Sequence, residues 1–209
     1  MKRNIIVAGV PRAGKSTLSN MLAKHGYIHV SMDSVIAGFE QVFPELGIDS
    51  YGYDSSLEAL TNISAKIAPF INAMMGSGEY GEHGYGAVFD VYQLLPCDYV
   101  KHIRPRTSEI NIDSYDVKIV YLGSSDVTPD ERFVIQKQYD TENDYTFYKT
   151  DEELREGADY IVEQSIMITK QCEKYGLPYY DTSYFRLETF NKIIRNVTEG
   201  ETTLKNKYC

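Results

Sequence analysis

The residues best suited to chemistry lie near the start of the chain, in a stretch that follows the apolar run 5–8. The spacing of residues 9–17, G-x-x-x-x-G-K-S, is typical of a loop that wraps around the phosphates of a nucleoside triphosphate. Glycines allow the close approach, and the following helix directs its positive dipole end at the anion. The pattern predicts that Lys15 reaches the β- and γ-phosphates and that Ser16 binds Mg²⁺. The predicted nucleotide-binding residues are Gly9, Pro11, Arg12, Ala13, Gly14, Lys15, Ser16 and Thr17.

Two acidic residues follow apolar runs that have the character of strands. Asp33 comes just after the second such run, 27–31, and Asp90 ends the third, 85–90. Ligands of open α/β sheets bind at this end of the strands. We therefore expect Asp33 to act as a general base or as a ligand of a substrate hydroxyl, and the alternative is that Asp33 and Ser34 only cap a helix. Asp90 is predicted to be a carboxylate on the Mg²⁺ side of the site that acts through a water or on the substrate, and the alternative is an ordinary acid at a strand end.

Basic residues in two places are candidates for contact with an anion. Arg132 lies in the polar segment 124–149, whose length between a strand and a helix is typical of a lid. We predict that Arg132 stabilises charge on a transferred phosphoryl group, and the alternative is a surface arginine paired with a neighbouring acid. The cluster Lys101, His102, Arg104 and Arg106 either meets an anionic acceptor or complements a helix end.

Strands and helices must bring these residues together, and the hydrophobic periodicity predicts where they lie. Apolar or alternating runs predict five strands, at 5–8, 27–31, 85–90, 117–123 and 178–181. Amphipathic helices are predicted between them, including one after the loop, one that stops at Pro44, and one that Thr150 and Glu153 cap and Gly176 ends. Thr182 and Ser183 are predicted to cap the last helix. Alternation of strands and helices predicts a parallel sheet that is covered on both faces.

Length and composition limit the class of protein. We expect one domain, 1–209, with an inserted lobe at about 45–84 and a lid at about 124–149. A net charge of −9 argues against binding to nucleic acid or to an anionic membrane. The three cysteines have no ligand spacing, and no apolar run has the length of a signal peptide or a membrane span. We therefore expect a cytoplasmic protein.

The chain resembles the small P-loop kinases of the nucleoside, nucleoside-monophosphate and shikimate/gluconate type. Residues 9–17 match the phosphate loop, Asp33 matches the acid after the second strand, Asp90 matches the end of the third, and 124–149 occupies the lid position. The resemblance implies a three-layer α/β/α P-loop NTPase fold with a five-stranded parallel sheet. It also implies a monomer or homodimer that uses ATP and Mg²⁺ and transfers the γ-phosphoryl group to a small-molecule acceptor.

The acceptor stays open, because the chain departs from one branch of this group. Adenylate kinases have Asp-Gly-Phe-Pro-Arg after the third strand, whereas this chain has Asp-Val-Tyr-Gln-Leu-Leu-Pro at 90–96. Two alternatives to a kinase also remain at this stage. One is an ATP-binding switch protein with slow or incidental hydrolysis, and the other is a nucleotide-binding protein that has lost catalysis. A GTPase switch is disfavoured, because the Asn-Lys pair at 206–207 is not followed by the Asp that recognises guanine.

Overall fold

A single parallel sheet forms the centre of the protein. The computed structural model describes residues 3–48, 57–77, 80, 85–103 and 117–198. The strands are β1 (Ile5–Gly9), β2 (Ile28–Ser31), β3 (Ala87–Val91), β4 (Lys118–Gly123) and β5 (Tyr179–Asp181). They pair in parallel in the order β2-β3-β1-β4-β5. The predicted α/β architecture with five parallel strands is confirmed.

Seven α-helices connect the strands within the described residues. They are α1 (Lys15–Lys24), α2 (Met32–Val42), α3 (Leu57–Met75), α4 (Pro96–His102), α5 (Pro129–Tyr139), α6 (Asp151–Tyr175) and α7 (Arg186–Thr198). A 3₁₀ turn, Pro44–Leu46, follows α2, so the predicted stop at Pro44 is confirmed. No helix among these is both long and apolar enough to cross a membrane.

The helices cover both faces of the sheet. Every residue of β1 and of β3 is buried. Because successive side chains of a strand point to opposite faces, such complete burial requires a layer of helices on each side. Fully buried helical side chains complete the core, among them Leu18, Leu22, Ile67, Ile71 and Phe190. The three-layer α/β/α fold is therefore the one that the strand and helix pattern predicts.

The sequence predicts both ends of α6 correctly but not the start of α7. Thr150 and Glu153 form the predicted capping box of α6, and Gly176 ends that helix with φ 64°. The predicted cap at Thr182 and Ser183 is wrong, because α7 begins only at Arg186. Thr182 is buried, and its hydroxyl bonds main-chain oxygens elsewhere.

The segment 124–149 contains a helix, α5, that its polar composition conceals. Thr128 and Glu131 cap α5 reciprocally, with Pro129 in the first turn. This start signal is visible in the sequence, but few apolar residues follow it to show a helical period. The role of the segment as a lid remains a prediction.

The predicted lobe at 45–84 is described only in part. Its helix α3 packs against α4, where the Ser64 hydroxyl donates a 2.6 Å hydrogen bond to Oδ2 of Asp98. Residues 49–56, 78–79 and 81–84 lie outside the described residues, so the lobe as a unit remains a prediction. The same holds for two members of the basic cluster, at 104 and 106. The other two, Lys101 and His102, occupy the last turn of α4, where cations complement the helix dipole.

Candidate functional site

The loop between β1 and α1 has a backbone that suits an anion. Gly9 and Gly14 have φ of 128° and 89°, and Arg12 between them has φ 59°. Within the described residues, no side chain caps the N-terminus of α1, and the first turn of α1 contains no acidic residue. The first N–H groups of a helix lack partners within that helix. These N–H groups and the loop amides are therefore available to phosphate oxygens, as the sequence predicts.

Close packing requires both glycines of this loop. A Cβ at Gly9 would lie 2.0 Å from the carbonyl oxygen of Leu122, and one at Gly14 would lie 2.6 Å from the ring of Phe190. The N–H of Val10 also donates to the Leu122 oxygen at 3.1 Å. The loop is thus seated directly on β4 and α7, and each contact tolerates only hydrogen at the Cα.

Lys15 is the buried cation of the site. It is 8% exposed, and its Nζ donates to the carbonyl oxygen of Val10 at 2.9 Å. Nζ also lies 5.7 Å from the ring centre of Tyr92, whose hydroxyl is 2.6 Å from that of Tyr160 on α6. Burial lowers the pKa of Lys15, while the nearby charges of Asp90 and Asp33 act in the opposite direction. The lysine is therefore held close to both predicted carboxylates.

The two carboxylates belong to neighbouring strand ends. Asp90 on β3 is 6% exposed and lies in register with Val7 of β1 and Ser31 of β2. Asp33 follows Ser31 by two residues, in the first turn of α2. Burial of its carboxyl group, although the residue as a whole is exposed, raises the pKa of Asp33. The charge of Asp90 adds to that rise, and the Lys15 ammonium and a hydrogen bond from Gln93 oppose it.

Asp33 and Ser34 do not cap α2 in the structure. The N-cap of α2 is Ser31, one residue before Met32, and its side chain makes no capping bond. Both predicted capping residues therefore lie inside the helix rather than at its N-cap. Asp33 remains available as a base or a substrate ligand.

His29 is a site residue that sequence reasoning missed. Its Nε2 lies 3.4 Å from Oδ2 of Asp90, and its Nδ1 lies 3.0 Å from Oδ1 of Asn20 on α1. The signal was present in the sequence, because alternation along β2 places residues 29 and 31 on the same face of the sheet. Only the pairing of β2 with β3, which the sequence does not specify, brings that face to Asp90.

The residues predicted to hold Mg²⁺ fit a site of the open type. Ser16 is exposed in the first turn of α1, and Asp90 is the last residue but one of β3, the strand beside β1. No cluster of three or more His, Cys, Asp or Glu side chains occurs in the described part of the chain. Mg²⁺ needs no such cage, because it is commonly held by one or two protein oxygens together with phosphates and water.

Arg132 lies against the phosphate loop and is buried. It is 1% exposed, and its Nη2 donates to the main-chain oxygen of Arg12 at 3.2 Å. The alternative of a surface arginine paired with an acid is therefore wrong, because the side chain is inside the protein and its hydrogen bond goes to the main chain. Burial, with the nearby cations Arg186 and Arg12, lowers the pKa of Arg132 to about 10. Whether Arg132 meets a transferred group remains a prediction.

The loop is also joined to the segment after α5. The Arg12 guanidinium forms ion pairs with Asp140 and Asp144. Tyr145, the next residue, is exposed, and its hydroxyl interacts with the charges of Arg12 and Asp33. This segment therefore lies beside both the phosphate loop and the predicted acceptor side. In the sequence, Asp140 and Asp144 are only two of the acids of the polar segment 124–149, because nothing local shows their partner.

The chain has a phosphate loop after the first strand of a five-stranded parallel sheet, Asp90 near the end of the adjacent strand β3 and Asp33 just after β2, which pairs with β3. This arrangement gives it the fold of the small P-loop kinases. No protein-family model and no curated protein sequence matches the chain. Its fold is similar to that of shikimate kinase from Bacteroides thetaiotaomicron, with 14% sequence identity, a TM-score of 0.51 and coverage of 94% of this chain and 97% of that one.

A second solved structure shares the fold over the full chain. It is a gluconokinase from Sinorhizobium meliloti 1021, with 14% identity, a TM-score of 0.50 and coverage of 99% of this chain and 98% of that one. Similarity at this identity concerns the fold, and function has to be argued from the site.

Proposed function

We propose that the protein is an ATP-dependent phosphotransferase that moves the γ-phosphoryl group of ATP to a small-molecule acceptor. One observation carries the proposal: Lys15 at the start of α1 lies within electrostatic range of the carboxylates of Asp33 and Asp90. A cation for the phosphates thus stands beside two acids at the carboxyl ends of neighbouring strands. A pure phosphate-binding loop would gain nothing from these acids, since they repel an anion.

Each residue has a task that follows from its position. The loop amides and the N-terminus of α1 bind the phosphates of the donor, and Lys15 neutralises charge that develops on the transferred group. Its protonated form is required, and the two neighbouring carboxylates favour that form against the effect of burial. Catalysis of this kind depends mainly on positioning and charge, because phosphoryl transfer asks for little covalent chemistry from the protein.

The donor phosphates are proposed to bring Mg²⁺. Ser16 and Asp90 would hold it, and the ion would neutralise phosphate charge during transfer. His29 lies against Asp90, with its Nε2 3.4 Å from Oδ2 of the carboxylate.

Asp33 is proposed to serve the acceptor. For a hydroxyl acceptor it takes the proton that is lost on attack, and its raised pKa suits that task better than the ordinary pKa of an exposed Asp. For a phosphate acceptor little base is needed, and Asp33 then acts as a ligand. Tyr145 lies within electrostatic range of Asp33 and is proposed to contact the acceptor as well.

Acceptor-dependent ADP release tests the proposal. The purified protein is incubated with Mg-ATP and a panel of nucleosides, nucleotides, sugars and hydroxy acids, and ADP is measured with a coupled assay. Stimulation of ADP release by one class of acceptor, with a phosphorylated product in the mass spectrum, supports the kinase. Slow ADP release that no acceptor stimulates would favour the switch protein instead. Failure to bind nucleotide at all would overturn the proposal.

A further inference from the structure

Two arginines from different helices converge on one main-chain oxygen of the phosphate loop. Nη2 of Arg132, on α5, donates to the carbonyl oxygen of Arg12 at 3.2 Å, and Nη2 of Arg186, on α7, donates to the same oxygen at 3.4 Å. A carbonyl oxygen has two lone pairs, so it can accept both bonds. Bonds from charged donors are stronger than neutral ones, and this oxygen is therefore firmly held.

The next carbonyl of the loop is held as well. The hydroxyl of Thr182, which is fully buried in the loop after β5, lies 2.9 Å from the oxygen of Ala13 and 3.2 Å from that of Gly123 at the end of β4. Thr182 thus joins the loop to the sheet edge. The hydroxyl does not cap a helix, because α7 begins four residues later.

These bonds act on the part of the loop whose backbone is least favourable. Arg12 has φ 59°, in the left-handed region that costs a non-glycine residue about 1 kcal/mol or more. Gly14 is also left-handed, whereas Ala13 between them is not. Alternation of this kind turns successive N–H groups toward one anion-binding concavity and turns the carbonyls away from it. Such a conformation persists only where the surroundings impose it.

We propose that Arg132, Arg186 and Thr182 are positioning residues, which hold the carbonyls of Arg12 and Ala13 so that the loop amides keep the shape that binds phosphate. They act on the nucleotide through the loop backbone rather than by touching the transferred group. This role fits the burial of Arg132, whose 1% exposure differs from that expected of a side chain that swings over a substrate. It rests on the proposed function only in requiring that the loop binds a nucleotide.

The placement of charge supports this role. The guanidinium of Arg186 lies 5.2 Å from the ring centre of Tyr139, the last residue of α5, so the end of α5 meets the start of α7 at this point. Burial lowers the pKa of Arg186, and the Arg12 cation lowers it further, while Tyr139 opposes the change. Three neighbouring guanidinium groups repel one another. A bound triphosphate would relieve that repulsion. Phosphate binding and the hydrogen bonds that hold the loop therefore favour each other.

Binding of Mg-ADP, measured by titration calorimetry, tests the proposal without need of an acceptor. Thr182→Val keeps the shape of the side chain and removes the donor, and Thr182→Ser keeps the donor. We expect Thr182→Val to raise the Kd for Mg-ADP about fivefold to tenfold, since one hydrogen bond is lost, and Thr182→Ser to restore most of the affinity. If the substitutions only disturbed the fold, Thr182→Ser would not restore the affinity that Thr182→Val loses.

Arg186 is tested against a matched arginine of the same helix. Arg195, on the exposed face of α7, also donates to a main-chain oxygen, that of Asn191 at 3.3 Å. We expect Arg186→Met to weaken Mg-ADP binding by about tenfold or more, because charged donors contribute more than neutral ones, and Arg195→Met to leave it unchanged. Arg186→Lys should recover part of the affinity. Melting temperatures are recorded for all variants, so that binding is compared among folded proteins.

The outcomes separate this inference from the function on which it rests. If the unaltered protein binds Mg-ADP and Thr182→Val and Arg186→Met bind it equally well, the positioning role is overturned and the kinase proposal stands. If Arg195→Met weakens binding as much as Arg186→Met, the specific role of Arg186 is overturned. If the unaltered protein does not bind Mg-ADP, the proposed function fails and the inference fails with it.

Discussion

Arg12 of the phosphate loop is ion-paired with Asp144, which lies after α5 in the predicted lid segment. The hydrogen bond from Arg12 is the main cause that lowers the pKa of Asp144 to about 2, and bonds from Thr141 add to it. Asp140 pairs with the same guanidinium. The side chain of Arg12 therefore connects the phosphate loop to the predicted lid segment. The main-chain oxygen of Arg12 accepts hydrogen bonds from Arg132 and Arg186.

Asp144→Asn should destabilise the folded protein by about 1 kcal/mol at neutral pH, since the pair is partly exposed. A carboxyl whose pKa is lower in the folded than in the unfolded protein stabilises the fold above its ordinary pKa, here 3.8, and ceases to do so as the pH falls toward about 2. The difference in unfolding free energy between Asp144→Asn and the unaltered protein should therefore be constant above pH 5 and shrink below pH 4. Urea unfolding across this pH range measures it.

Asp130→Asn is the matched control for that measurement, because it breaks the pair with Arg155 at a carboxylate whose side chain is 87% exposed. We expect a smaller effect than for Asp144→Asn at every pH. Equal effects of the two changes would contradict a special link between the loop and the lid segment.

Lys15→Ala should lower acceptor-dependent turnover of ATP by about a hundredfold or more, because it removes the cation that faces the transferred group. Fold stability should be kept or improved, since burial of this ammonium is unfavourable by itself, as its lowered pKa indicates. Coupled ADP assays and thermal unfolding measure the two effects. Lys24→Ala, at the exposed far end of α1, should change neither.

Sequence reasoning recovered the elements whose signals are local. Residues 9–17 identify the phosphate loop by spacing alone, and the apolar runs give all five strands. The capping box at Thr150 likewise fixes the start of α6. These features depend on neighbours within a few residues, which is why a single sequence shows them.

The contacts that complete the site come from residues distant in sequence. Arg186 and Thr182 meet the loop across more than 160 residues of chain. His29 reaches Asp90 only because β2 is the neighbour of β3. No periodicity encodes such pairings, so the sequence predicts candidate residues for the site and not the contacts that hold them in place.

Gly9→Ala should destabilise the protein by about 3 kcal/mol or more. The added Cβ would meet the Leu122 carbonyl oxygen at 2.0 Å, and φ 128° is unfavourable for any residue with a Cβ. Gly157→Ala, in α6 with nothing within 4 Å of the added carbon, should instead stabilise it by about 0.5–1 kcal/mol. Chemical denaturation compares the two variants, and a neutral Gly9→Ala would contradict the close packing of the loop on β4.

Asp33→Asn decides between the two roles proposed for this carboxylate. If Asp33 is the general base, the change should lower kcat by about 10²–10⁴-fold. The unaltered enzyme should then lose activity as the pH falls through the pKa of Asp33, because only the ionised form accepts a proton. Since that pKa is raised, the loss should begin at a higher pH than for an ordinary Asp, and Asp33→Asn should lack this limb of the profile.

If Asp33 only binds the acceptor, Asp33→Asn should raise the KM for the acceptor and leave kcat within about tenfold. Asp159→Asn, an exposed acid of α6, controls for the loss of one negative charge. Full activity of Asp33→Asn would contradict both roles and would leave Asp90 as the carboxylate that matters at this edge of the sheet. The pH profiles of kcat and of kcat/KM, measured on the acceptor that the panel identifies, distinguish these outcomes.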